Sequence, residues 1–140
     1  MNVIFTCGGT GGHINPAIAV ANIWKERYPD SNIMFIGGEG GLEQQLVPKA
    51  GFKLFSVPAD SFDRRKSLQG IRQNLKAVSS NIRSIQMCKK VIREFGADVV
   101  VGTGGYASFP ALTAANKLGI PTCVHEANAV PGLTTKLVAK

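Results

Sequence analysis

No acidic residue occurs between Arg64 and Arg93, although nine of the sixteen basic residues of the 140-residue chain fall there. The rest of the chain holds seven basic and nine acidic side chains, so this one segment carries the whole net charge of +7. A segment of that kind faces something anionic: a membrane surface, a nucleic acid or a partner. Long apolar runs are also missing, which excludes a membrane-spanning helix. The first residues have neither the basic nor the apolar region of a signal peptide, so none is expected. Cysteine is scarce and odd in number. Cys7, Cys88 and Cys123 match no metal-binding spacing, and reduced, buried thiols are expected, with no metal. There is no Walker A loop and no serine nucleophile elbow. A helix-turn-helix pattern, a zinc site and an RNA-binding aromatic signature are lacking, and Phe62 is the only aromatic near the basic run. Nucleic acid is therefore not an expected partner.

Glycine, by contrast, is abundant and clustered. Gly8-Gly9-Thr10-Gly11-Gly12-His13 puts four glycines in five positions directly after the apolar run Val3–Cys7. A turn alone needs one or two glycines. Four leave the backbone bare, so its N–H groups can close on a ligand. Asn15-Pro16 reads as a helix start, with Asn as N-cap and Pro in the first turn. A helix N-terminus beside bare amides favours a phosphate, diphosphate or other anion. His13 brings a basic nitrogen to the same place.

The 140 residues, 44% hydrophobic and 18% charged, suit one domain with its own core. Strands are predicted at Asn2–Cys7, Asn32–Ile36, Lys53–Val57, Asp98–Val101 and Thr122–His125. Their short, largely β-branched runs suit buried parallel strands. Helices are predicted at Pro16–Tyr28, Leu42–Ala50, Ser67–Phe95, Ser108–Leu118 and Pro131–Lys140. Gly51, Gly96 and Gly119 sit at C-cap positions. The alternation gives an α/β fold, a doubly wound parallel sheet of Rossmann-like type. With strand order 3-2-1-4-5, the first and fourth strands meet at the switch point, where ligands bind beyond the carboxyl ends. That order brings the opening loop beside Gly102-Thr103-Gly104-Gly105-Tyr106. A third strand end, His125-Glu126-Ala127-Asn128, joins the same rim.

The long helix carries Leu68, Ile71, Leu75, Val78, Ile82, Ile85, Cys88, Val91, Ile92 and Phe95 at steps of mostly three and four, an apolar stripe. From Ile85 onward the stripe is expected to cover the sheet. Its start mixes Arg64, Arg65 and Lys66 with Leu68 and Ile71, a composition suited to docking on an anionic bilayer face.

His13, His125 and Glu126 are the acid–base candidates. A histidine near neutral pH can take a proton from a sugar hydroxyl as it attacks. Glu126 can do the same or orient His13, whereas His125 suits strand-end packing. Asn128 offers donors and an acceptor to a sugar amide or hydroxyl. A rival pattern also exists: Gly102, Gly104 and Ala107 fit a permissive dinucleotide fingerprint, with Glu126 placed for a ribose. The opening loop itself fails that fingerprint, because position 14 is Ile14.

Taken together, these stretches resemble the MurG family of glycosyltransferases, which make lipid II in bacterial peptidoglycan synthesis. Gly8–His13 with Asn15–Ala21 is similar to the family's first glycine loop and helix. Leu46-Val47-Pro48-Lys49 is similar to its second helix, and Asp98–Tyr106 to its second glycine loop. Leu118–Pro121, His125–Asn128 and Gly132-Leu133-Thr134 are similar to its third. The resemblance covers nearly all of the chain. It departs at Ala127, where the family often has Gln, and one amide contact is thereby lost.

The resemblance implies the N-terminal half of a GT-B glycosyltransferase. It implies transfer of GlcNAc from UDP-GlcNAc to the 4-hydroxyl of MurNAc in undecaprenyl-diphosphate-MurNAc-pentapeptide (lipid I), with inversion and no cofactor. His13 is then the candidate general base and Glu126 a second. Thr10, Gly11, Gly12 and Asn128 touch the donor sugar or its diphosphate. Gly104, Gly105 and Tyr106, in the second glycine loop, take part in binding substrate. The implied place is peripheral, on the cytoplasmic face of the bacterial membrane. Most of the nucleotide belongs to a C-terminal domain absent from this chain, and the isolated chain is expected to be inactive. The other reading left open is a non-catalytic, membrane-recruiting subunit of a split UDP-GlcNAc transferase.

Overall fold

The computed structural model describes residues 1–59 and 68–138, the side chains of 68–77 and of Leu133 excepted. Five strands run in chain order as β1 (Asn2–Thr6), β2 (Asn32–Gly38), β3 (Lys53–Val57), β4 (Val99–Gly102) and β5 (Thr122–Val124). Five helices alternate with them: α1 (Gly11–Arg27), α2 (Glu43–Lys49), α3 (Leu68–Phe95), α4 (Ser108–Leu118) and α5 (Leu133–Val138). The strands form one parallel sheet in the order β3-β2-β1-β4-β5.

Alternation along β1 sorts its side chains onto two faces. Val3 and Phe5 join Ile14, Ala17 and Ala21 of α1 and Val47 of α2. Ile4 joins Ile85, Cys88 and Ile92 of α3 and Ala111, Leu112 and Ala115 of α4. Helices α1 and α2 thus cover one face, α3 and α4 the other. The chain changes face between β1 and β4, whose register runs from Val3 opposite Val99 to Thr6 opposite Gly102. The loops after these two strands therefore leave the sheet side by side. The stripe of α3 divides as expected: Ile85, Cys88 and Ile92 are buried, whereas Val78 and Ile82 stand 46% and 58% exposed. Arg64, Arg65 and Lys66, and the side chains of Leu68 and Ile71, lie outside the described residues.

Two expectations change. Helix α1 starts at Gly11, not at Pro16, with Thr10 as its extended N-cap (φ −139°, ψ 155°). The Thr10 carbonyl accepts from the amides of His13 and Ile14 at 3.1 and 3.2 Å, which closes the first turn well before the proline. Pro16 is then the sixth helical residue, and it deprives the Gly12 carbonyl of an i+4 donor. Cys123 is exposed, whereas Cys7 and Cys88 are buried, and all three are free thiols. The reason is its place on β5, a three-residue edge strand. Gly51, Gly96 and Gly119 have φ of 85°, 64° and 71°, the left-handed turns that end α2, α3 and α4.

Candidate functional site

The site lies at the carboxyl end of β1 and β4, where two glycine loops press together. A Cβ on Gly105 would stand 2.1 Å from the Gly8 carbonyl oxygen. One on Gly104 would stand 2.9 Å from His13 Nδ1, and one on Gly9 2.9 Å from the Tyr106 ring. Gly9, Gly104 and Gly105 also have φ of 87°, 100° and 84°, so backbone shape demands glycine there as well. The Thr103 amide donates to the Thr6 carbonyl at 3.1 Å, continuing the β1–β4 pairing into the loops. Backbone reaches backbone at Gly105 and Gly8, and a ring lies against the bare chain at Gly104 and at Gly9.

His13 is held across this seam. Its Nδ1 lies 3.0 Å from the Thr103 carbonyl oxygen, and the Thr103 hydroxyl donates to the His13 carbonyl at 2.6 Å. A carbonyl can only accept, so Nδ1 carries the proton and Nε2 keeps the lone pair in the neutral ring. The half-buried imidazole therefore has one nitrogen anchored and the other available as a base.

Gly11 and Gly12 differ from the other loop glycines. They have helical backbone, and a Cβ would meet only Asn15 Nδ2 at 3.6 Å or Thr10 Oγ1 at 3.7 Å, ordinary contacts. Among the described residues nothing calls for glycine at either place, although glycine weakens a helix. Both amides belong to the first turn, whose N–H groups point away from the helix.

The third loop is tied to the second and to itself. Thr134 Oγ1 donates to the Gly105 carbonyl at 3.3 Å, and the His125 amide to the Gly102 carbonyl at 2.8 Å. Glu126 Oε1 accepts from the Asn128 amide (3.0 Å) and Asn128 Nδ2 (2.7 Å). Its Oε2 accepts from the Gly132 amide (2.9 Å) and Thr135 Oγ1 (2.7 Å). The Gly132 bond above all, then those of Thr135 and Asn128, pull its pKa down to about 2. A carboxylate so stabilised is a poor base. The expectation that Glu126 takes the proton does not fit this geometry, which instead makes it the clamp that orients Asn128. His125 does not pack at the strand end; its side chain is exposed.

The dinucleotide fingerprint loses its residues to packing. A Cβ on Gly102 would strike Leu112 Cδ1 at 2.7 Å, so this glycine makes room for α4. Gly104 is bare toward His13, and Glu126 is committed to its own loop.

Sequence reasoning overlooked Glu43. It is fully buried at the start of α2, with Oε1 accepting from the Gly38 amide at 2.8 Å and Oε2 from the Gly9 amide at 3.3 Å. The signal lies in Gly37-Gly38-Glu39-Gly40-Gly41, a further glycine cluster directly before α2. Among the described residues, no group of three His, Cys, Asp or Glu side chains is placed to hold a metal ion.

The family model for the glycosyltransferase family 28 N-terminal domain matches residues 3–140. The chain belongs to this family. Within family 28 it is 44% identical over 138 residues to the UDP-N-acetylglucosamine--N-acetylmuramyl-(pentapeptide) pyrophosphoryl-undecaprenol N-acetylglucosamine transferase of Parabacteroides distasonis, covering 99% of this chain and 36% of that protein. The enzyme of the same name from Bacillus cytotoxicus is 44% identical over 140 residues, covering 100% of this chain and 37% of the other. Among solved structures, MurG of Acinetobacter baumannii superposes with a TM-score of 0.77 at 27% identity, over 99% of this chain and 38% of that one. The fold is thus the Rossmann-like N-terminal half of a GT-B glycosyltransferase. The chain spans little more than a third of the length of these family 28 relatives.

Proposed function

We propose that this chain is the acceptor-side domain of an inverting transferase that moves GlcNAc from UDP-GlcNAc to the 4-hydroxyl of MurNAc in lipid I. The observation that carries the reading is the anchored His13, with Nδ1 on the Thr103 carbonyl, in the same first turn of α1 as Gly11 and Gly12. In the reaction, Nε2 takes the proton of the 4-hydroxyl while its oxygen attacks the anomeric carbon. The bond from that carbon to the UDP oxygen breaks, and the diphosphate leaves with the electron pair. Inversion follows from attack on the opposite face. Thr10 and the first-turn amides lie where a sugar diphosphate gains from the helix dipole. Gly104, Gly105 and Tyr106 line the seam, and Asn128, oriented by Glu126, offers its amide to the donor sugar. The C-terminal nucleotide-sugar domain is the partner that completes the site.

The segment expected to meet the acceptor's membrane is the stretch of sequence that holds Arg64, Arg65, Lys66, Leu68 and Ile71. Exposed Val78 and Ile82 continue that apolar line. No helix among the described residues is long and apolar enough to cross a membrane. In this reading docking at the cytoplasmic face is peripheral.

The deciding experiment replaces His13 by Ala in an intact transferase containing this chain, assayed with UDP-GlcNAc and a lipid-linked MurNAc acceptor. Turnover should fall about a hundredfold to ten-thousandfold, with substrate binding little changed. Near-normal turnover would remove His13 from the base role.

A further inference from the structure

The glycine loops do not only await a ligand; they already enclose an acid of the chain itself. A Cβ on Gly8 would lie 2.6 Å from Glu43 Oε1, one on Gly37 2.7 Å from Glu43 Cγ, and one on Gly41 2.3 Å from Glu43 Oε2. Gly37 in β2 and Gly41 beyond it are thus bare because this side chain passes them, and Gly8 because it meets both Glu43 and, at 2.4 Å, the Cβ of Ala107. Its two oxygens accept amide protons from Gly38, the last residue of β2, and from Gly9, in the loop after β1. A buried carboxyl group is costly unless hydrogen-bonded, and here the bonds are to the backbone at the end of β2 and in the loop after β1. Burial and then Glu43 push the Cys7 thiol up to about 12, as expected for an acid seated just behind the loop.

We propose that Glu43 is the positioning residue of the first glycine loop: it draws the Gly9 amide inward and so sets the start of α1, with Gly11, Gly12 and His13, at the sheet edge. One consequence concerns the division of labour among amides. The Gly9 N–H is spent on Glu43, so an external anion is left to the first-turn amides of Gly11 and Gly12. Glu43 itself touches no substrate, being fully buried. This placement of the anion rests on the reading of the loop given above, whereas the hold on Gly9 does not.

The test uses the 15N-labelled chain with two variants, Glu43→Gln and Gly41→Ala. Gln keeps one acceptor oxygen, which stays on the Gly38 amide, the shorter bond, and turns an NH2 toward Gly9. Ala at 41 puts a methyl on the Oε2 side and displaces the carboxyl group without removing it. In both, hydrogen exchange at the Gly9 amide should rise at least tenfold, while core amides such as Ile92 and Val100 keep their protection. Inorganic pyrophosphate is the ligand probe. In the parent chain it should shift the Gly11 and Gly12 amide signals, with at least threefold weaker binding in both variants. Glu43→Asp, one methylene shorter, should lose the Gly9 bond and retain part of the pyrophosphate response. Unchanged Gly9 exchange in a folded Glu43→Gln or Gly41→Ala chain would overturn the proposal. If Glu43→Gln does not fold, Gly41→Ala decides. Absence of a pyrophosphate response in the parent would instead count against the anion-binding reading, and Gly9 exchange would still judge Glu43.

Discussion

His13 and Thr103 exchange two hydrogen bonds across 90 residues of chain, each from a side chain to the other's backbone: Nδ1 to the Thr103 carbonyl at 3.0 Å, and the Thr103 hydroxyl to the His13 carbonyl at 2.6 Å. The first anchors the ring; the second anchors the turn that carries it. Thr103→Val keeps the shape and removes only the second. The buried Thr103 hydroxyl is lost, while the His13 carbonyl keeps its place in the helical ladder of α1, at a cost of about 0.5–1.5 kcal/mol. Thermal unfolding measures that loss. The ring signals of His13 in an NMR spectrum should broaden or split, since the turn beneath it is no longer pinned.

The loop glycines divide into two kinds that substitution separates. Gly105→Ala must fit a methyl 2.1 Å from a carbonyl oxygen at φ of 84°. Left-handed strain and overpacking together should destabilise the fold by about 2–4 kcal/mol. Gly11→Ala and Gly12→Ala meet no such obstacle and should leave stability unchanged or raise it by up to about 1 kcal/mol. These two should nonetheless weaken pyrophosphate binding. Denaturant unfolding beside a pyrophosphate titration distinguishes the two kinds; equal stability losses at all three positions would refute the division.

Much of this arrangement was legible in the sequence, for identifiable reasons. Short β-branched runs marked the strands, and the glycine caps marked where α2, α3 and α4 stop. The order β3-β2-β1-β4-β5 then brought the two loops together. The start of α1 was obscured because Asn15-Pro16 looks like a cap, while a proline one turn deeper costs only one hydrogen bond. Glu43 was hidden for a related reason: an acid at a helix start is usually solvated, and only the glycines around it betray that it turns inward. The role of Glu126 depended on donors up to nine residues away, Thr135 among them, which no local pattern announces.

Glu126 gives the third loop a defined response to acid. Its folded pKa of about 2 lies below its ordinary 4.5, so the stabilisation it provides is complete above about pH 4.5. It is lost as pH falls toward 2, when protonation takes an acceptor from Asn128, Gly132 or Thr135. Amide exchange at Asn128 and Gly132 should accelerate across this window before the core amides respond. Glu126→Gln should reproduce the acid behaviour at neutral pH, and in an active transferase it should leave the position of the acidic limb of the pH–rate profile, which reports the general base, unchanged. A shift of that limb would restore Glu126 as the base.

Membrane docking is testable on the segment that carries the charge. Arg64, Arg65 and Lys66 each changed to Glu alters the local charge by six. Attraction to an anionic surface is worth about 1 kcal/mol per basic residue. Losing three such residues should therefore weaken binding to phosphatidylglycerol vesicles by roughly a hundredfold or more, and added salt should weaken the parent in the same direction. Ile82→Ser, an exposed position on α3, should reduce vesicle binding with little change in stability. Equal binding by the charge variant and the parent would assign the basic run to another anionic partner.

The three thiols should report the fold from two sides. Cys123 is exposed, whereas burial pushes Cys7 and Cys88 up to about 12 from 9.0. At pH 8 a maleimide should label one thiol per native chain, at Cys123, and three once the chain is unfolded, as counted by intact mass. The same raised values carry a stability consequence. A thiol held protonated in the fold but free to ionise when unfolded lets the unfolded chain shed protons first as pH climbs past 9. Stability is therefore unaffected by these groups below that value and declines above it, by up to two protons per unfolding event. Cys7→Ser with Cys88→Ser should remove this part of the alkaline decline in urea midpoints measured from pH 8 to 10.5, whatever its effect on the midpoint at pH 8. An undiminished decline in the double variant would place the alkaline sensitivity in other groups.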